Sequence, residues 1–315
     1  MKNVTHNIDF SSYKYIHQGP VTNTLPQLAS SPDGYEISNG MSVYTGNGIS
    51  IALPQSMIPR LRLSSPFQLL DAFIAETTLR GVREPTVTLA LTDYMTLRGL
   101  KSRDVTLKQV NADLDLLSEI RLSFTQRNGK DECSFKNIRI GQRGKCVRGY
   151  IVFVFSEEFL GLLRSYPFMP VPKQLWTIRT SANPNSYFLL RQMLVSKNMN
   201  IGKANEDIVS VKKLLCACPS IPGIETVMDS GRAVGRRIFA PFERDMDALS
   251  ETLTWQYCHY GGTPLTEKER AEMNYRIFVD SVIHIDWVDY PDQTERREKL
   301  ASRSKPSARK SESPE

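Results

Sequence analysis

Two stretches of this chain carry the same order of local patterns, and that repetition limits the possible folds more than any other feature. The first opens at Ser65-Pro66-Phe67, a residue type that caps helices followed by a proline suited to a first helical turn. Leu69, Leu70, Phe73, Ile74 and Thr77 follow at three- and four-residue intervals, the spacing of one helical face, and Gly81 stops the helix. A second helical stretch around Leu91-Thr92-Asp93-Tyr94-Met95 ends at Arg98-Gly99-Leu100. The third runs from Thr106 to about Leu117, with Leu107, Val110, Leu114 and Leu117 inward and Lys108, Gln109, Ala112 and Asp113 on the other face. Ile120 to Phe124, Phe135 to Ile140 and Tyr150 to Phe155 then have the alternation and the β-branched and aromatic content of strands.

The second copy starts at Asn183-Pro184. Tyr187, Leu190, Met193, Leu194 and Lys197 trace a helix that ends before Gly202. Asp207 opens the next, with Ile208, Val211, Leu214 and Leu215 as its apolar face, and Ile224 to Met228 add a turn or two. A third helix carries Ile238, Phe242, Met246 and Leu249, and Pro241 places the start or a bend of its regular hydrogen bonding nearby. Leu253, Trp255 and Tyr257 alternate with polar residues as in a half-buried strand, and Ile277, Val279, Ile283, Ile285 and Trp287 occupy odd positions of another. The two copies share an order of elements, not residue identities.

Three helices followed by a hairpin is the order of a winged helix, in which the third helix enters the DNA major groove and the hairpin is the wing. The fold class expected is therefore α+β: two tandem winged-helix domains over residues 63–172 and 173–291, an extended N-terminal arm over 1–62 and a disordered basic tail over 292–315. A chain of 315 residues is long enough for two such cores.

Charge points the same way. The whole chain carries a net +6, and Arg121 to Arg148 alone holds eight basic residues against two acids. Concentrated on an expected wing, that excess fits phosphate contact. The candidate DNA-binding residues of the first domain are Lys101, Arg103, Lys108, Gln109 and Ala112, with Arg127, Lys130, Lys136, Arg139, Arg143, Lys145 and Arg148 along the wing. Those of the second are Arg232, Arg236, Arg237 and Arg244. Arginine can fork onto guanine and glutamine onto adenine, whereas wing cations position the protein without reading sequence.

Catalytic patterns are missing from the sequence. His6, His17, His259 and His284 include no pair on one strand of the kind that holds a nickase metal, and His284-Ile285-Asp286 reads as an outward polar pair. Gly141-Gln142-Arg143-Gly144-Lys145-Cys146 has the wrong spacing for a P-loop and lacks the hydroxyl that ligates magnesium. Asp113, Asp115, Glu157 and Glu158 read as helix-surface or helix-start carboxylates. Five cysteines, Cys133, Cys146, Cys216, Cys218 and Cys258, read as reduced thiols without a structural metal. The expectation is a binding protein rather than an enzyme, without cofactor, in the cytoplasm. Met1 to His6 leads into polar residues, so a secretory leader is not expected, and no apolar run approaches the length that spans a membrane.

Leu89 to Leu100, running on to Gln109-Val110-Asn111-Ala112-Asp113-Leu114, resembles the first domain of plasmid replication initiators with tandem winged helices. Arg237 to Leu249 is similar to their second domain, and Ile285-Asp286-Trp287-Val288-Asp289-Tyr290-Pro291 to a late strand in initiators of bacterial mobile elements. The resemblance implies a protein that binds repeated origin sites in double-stranded DNA, helps open the adjacent duplex, recruits host helicase or primase machinery and forms a homodimer when it represses its own gene. Two other readings stay open: a transcriptional regulator without a replication role, and a metal-dependent nicking endonuclease.

Overall fold

The computed structural model describes residues 13–27, 35–38, 40–46, 48–128, 131–229, 233–291 and 293–294. Of the expected basic tail, residue 292 and residues 295–315, together with Lys130, Arg232 and the side chains of Arg127, Cys133 and Arg143, lie outside this description.

The described residues ahead of Ser65 form helices and paired strands, which corrects the expectation of an extended arm there. They comprise β1 (Tyr15–His17), α1 (Pro20–Gln27), β2 (Tyr35–Ser38), β3 (Met41–Gly46), β4 (Ile49–Pro54) and the short α2 (Ile58–Leu61). In β4 every second side chain, Ile49, Ile51 and Leu53, is buried. That period of two needs a sheet to bury against, and a later part of the chain supplies it.

The first repeated unit follows: α3 (Ser65–Leu79), β5 (Thr86–Ala90), α4 (Leu91–Leu97), α5 (Arg103–Glu119), β6 (Arg121–Asn128), β7 (Asp131–Arg139), β8 (Gly141–Val147) and β9 (Tyr150–Phe155). Gly81 and Gly99, both at positive φ, end α3 and α4. After each, the next residue's N–H reaches back five residues, Val82 to Thr77 and Leu100 to Met95, the closure of a glycine-ended helix. Ser65, expected to cap α3, lies within it and donates to Asp113 instead. The strands divide between two sheets. β5, β9 and β8 form a three-stranded antiparallel sheet in that order, while β6 and β7 extend the N-terminal strands into a five-stranded sheet, β2-β3-β4-β6-β7. The stretch from Arg121 to Arg148 is thus two hairpins on two sheets, not the single wing expected. β5 is an element the helical spacing around it concealed.

After α6 (Glu157–Ser165), β10 (Phe168–Pro170) and α7 (Gln174–Thr177), the order recurs: α8 (Ser186–Asn200), β11 (Ile208–Ser210), α9 (Val211–Leu215), α10 (Ile224–Asp229), a π-helical turn over Gly235–Phe239, α11 (Ala240–Asp247), β12 (Leu253–Cys258), α12 (Glu267–Ala271), α13 (Tyr275–Asp280) and β13 (Val282–Trp287). Its sheet order, β11-β13-β12, matches β5-β9-β8. Ile208, expected on a helix, opens β11, because Ser210 caps α9 by accepting from Lys213 N and leaves three residues to pair with β13. Ile277 and Val279, expected on a strand, lie on α13, whose start Asn274 caps through Ile277 N. Pro241 sits in the first turn of α11, just beyond the π-turn, as its missing donor requires.

The two units share one apolar cluster, and their first helices lie side by side within it. α3 is buried from Ser65 to Thr77 and α8 from Ser186 to Asn198, on all faces. Arg191 Nε and Nη2 meet the Asp71 carboxylate at 2.9 and 3.0 Å, and Tyr187 Oη donates to it at 2.8 Å. β1 pairs with β10 above this contact, burying Ile16 and Met169. Arg98 donates to the carbonyls of Trp176 and Ile178, a further polar tie between the units, and Gln174 Nε2 donates to that of Ala248.

Candidate nucleic-acid interface

In the first unit, α5 is the exposed third helix. Ser102 caps it, accepting from Val105 N at 3.5 Å. Val110, Leu114 and Leu117 face inward as the periodicity predicts, and Asp104, Val105, Lys108 and Asn111 face out. Gln109 and Ala112 are half-buried, and the Gln109 carbonyl accepts from Arg60 Nη2 at 3.3 Å. Asp113 does not share the outward face. It is fully buried, held by Arg60 at 3.3 Å and Ser65 at 3.1 Å, because three residues on from Val110 the helix turns that position toward α3.

The β8–β9 hairpin stands beside the start of α5. Its register shifts between Gln142 and Lys145, a bulge that lays Gly144 on α5, where an added Cβ would come 2.7 Å from the Leu114 side chain. At the tip, Arg148 (φ 50°) and Gly149 (φ 84°) make a two-residue turn of the type favoured in hairpins, and Gly149 O accepts from Leu91 N at the head of α4. A Cβ at Gly149 would lie 3.6 Å from Arg103 Nη2. Burial pushes the Cys146 thiol up, and the charge of nearby Arg103 opposes that shift. Lys101, Arg103, Lys108, Lys145 and Arg148 are all exposed, and among the described residues none has a carboxylate within ion-pair distance.

Lys136 and Arg139, also exposed, belong elsewhere. They lie on β7, an edge strand of the five-stranded sheet, where charged side chains discourage pairing with another chain. In the second unit, Arg236 and Arg237 are exposed on the π-turn that leads into α11. Arg244 is engaged in the fold: its Nη2 lies 2.7 Å from Asp245, whose buried carboxylate also accepts from Asn185 N and Nδ2 at the head of α8. The connection from β12 to β13 holds α12 and α13 in place of a short turn.

Val105 and Asn111 went unnoticed at the sequence level. Val105 is 63 % exposed on the first turn of α5, an apolar group free to meet a thymine methyl, and Asn111 can fork onto adenine. Position on the outward face, not residue type, is the signal that picks them out.

Among the described residues no three His, Cys, Asp or Glu side chains are grouped to hold a metal, and His284 and Asp286 lie 3.7 Å apart with no third partner of that kind. No described helix is long and apolar enough to cross a membrane.

No protein-family model matches this sequence, and no curated protein does. Two solved structures align with this chain. Selenomethionine domains 2 and 3 of RctB align with a TM-score of 0.47 at 12% identity, over 81% of this chain and 91% of that one. A second structure of RctB domains 2–3 gives 0.38 at 12% identity, over 85% and 94%. At this distance, function has to be read from the chain's own residues.

Proposed function

We propose that this chain is a sequence-specific double-stranded DNA-binding protein whose two units are winged helices, acting as the replication initiator of a plasmid or mobile element. The observation that carries the DNA-binding reading is the meeting of α5 with the β8–β9 hairpin, two elements that with the residues beside them carry five exposed cations, none with a described carboxylate in ion-pair distance. The first-third-second strand arrangement recurs in both units, each opening with a helix, a strand and further helices, and supports a tandem reader. In it Lys108, Asn111 and Val105 face base edges, while Lys101, Arg103, Lys145 and Arg148 meet phosphates. Arg236 and Arg237 serve the second unit, and Lys136 and Arg139 contribute field rather than contact. The protein binds and does not catalyse. Initiation at repeated sites, with recruitment of helicase or primase, rests on the sequence resemblance to plasmid initiators.

Fluorescence anisotropy with DNA flanking the chain's own gene, against shuffled DNA of equal length, tests the proposal. Selective binding that falls roughly a thousandfold or more between about 50 and 200 mM salt is expected from six or more phosphate contacts. Footprints at direct repeats beside an AT-rich stretch mark an initiator, and a single operator at a promoter marks a regulator instead. Salt-independent or sequence-blind binding would sink the reading.

A further inference from the structure

A cleft of about 670 Å³ opens between the end of α2 and the second unit. The N-terminal half contributes Arg62, one residue past α2. The C-terminal half contributes Arg237 and Ile238 from the π-turn, Tyr275 from α13, and the loop from Cys216 to Gly223. Among the described residues no carboxylate lines it.

Several described arginines are engaged within the fold. Arg60 binds Asp113, Arg191 binds Asp71, Arg80 binds Glu76 and Arg244 binds Asp245. Arg98 and Arg164 donate to backbone carbonyls. Arg62 and Arg237 differ: both are exposed, and neither has an ion pair or side-chain hydrogen bond to a described residue. Each guanidinium offers five donors in a planar fork suited to phosphate.

Their position gives the cleft its meaning. Arg60 reaches Asp113 and the Gln109 carbonyl, which holds the end of α2, and with it Arg62, alongside α5. On the opposite wall, Arg237 belongs to the turn that runs into α11. The cleft therefore lies between the end of α2, which Arg60 ties to α5, and the turn that leads into α11. A duplex that offers successive major grooves to α5 and α11 carries its intervening backbone across this gap.

We propose that the cleft seats the DNA backbone between the two half-sites, with Arg62 and Arg237 gripping phosphates from opposite walls. The assignment rests on the DNA-binding reading and adds Arg62, a residue outside both units' third helices and hairpins, to the contact surface.

The test uses the full chain and a duplex of about 40 base pairs, roughly four helical turns. Arg62→Ala should lower the slope of log affinity against log salt by about one, with unchanged melting temperature because no folded-state partner is lost. Arg62→Lys keeps the charge and should keep the slope. As a second readout, alkylation of the exposed Cys216 thiol on the cleft wall, followed by peptide mass, should slow when the duplex is bound. A wild-type chain that binds steeply with salt while Arg62→Ala matches it in slope and affinity overturns the cleft assignment and leaves the DNA-binding reading standing. A wild-type chain that does not bind duplex at all overturns both.

Discussion

The Asp113 carboxyl takes hydrogen bonds from Arg60 Nε and Ser65 Oγ through Oδ1 alone, while its Oδ2 has no partner within the protein. Burial raises its pKa to about 7, with Arg60, Ser65 and Arg98 pulling the other way. The folded value thus lies above the ordinary carboxylate range, so between about pH 4 and pH 7 the folded chain holds a proton that the unfolded chain has released. Stability from this group is present at low pH and is lost as pH rises through that window. Asp113→Asn, neutral throughout, should remove a slope of at most about 1.4 kcal/mol per pH unit. Urea midpoints of both proteins at pH 5 and pH 7.5 check this, and parallel pH profiles would refute it. Because Arg60 also holds the Gln109 carbonyl, the proton state of Asp113 bears on how firmly α5 is anchored.

Among the elements, the β8–β9 hairpin stores strain where the proposed contact lies. Arg148 is not glycine yet sits at φ 50°, a conformation that costs a side-chain-bearing residue about 1–2 kcal/mol. Arg148→Gly should therefore stabilise the fold by up to about that much while weakening DNA binding, since it relieves the turn and deletes a phosphate contact. Melting and anisotropy on the same variant separate the two, and a change of both in the same direction would mean the turn is only structural. This hairpin also marks how far the sequence could be read. The inward stripe of α5 and the alternation of β12 were legible because one face meets a core and the other meets water. α3 and α8, buried on all sides, showed only partial stripes, and which of their faces met the other unit could not be told. β5 and β11 are short strands run directly into helices, so their residues blended into the helical period that follows. The division of the basic stretch between two sheets was invisible, because it depends on β4 pairing with β6 across about seventy residues of chain.

At the scale of the whole molecule, the buried Asp71–Arg191 pair with Tyr187 ties the units through their first helices. Removing one partner strands a charge: Arg191→Met should cost about 3–5 kcal/mol, and adding Asp71→Leu should recover part of it. Calorimetry on both variants checks the pair, and equal losses in the single and double variants would contradict it. With one core and these ties, the wild-type chain should unfold in a single transition. The pairing of β1 with β10 sets the timetable of synthesis. Tyr15 emerges from the ribosome long before its partner Pro170, and at about 5–20 residues per second the gap is roughly 8–30 seconds. For that interval the apolar Ile16 lacks the partner strand that buries it, so this segment stands to gain from a chaperone's shelter until β10 emerges.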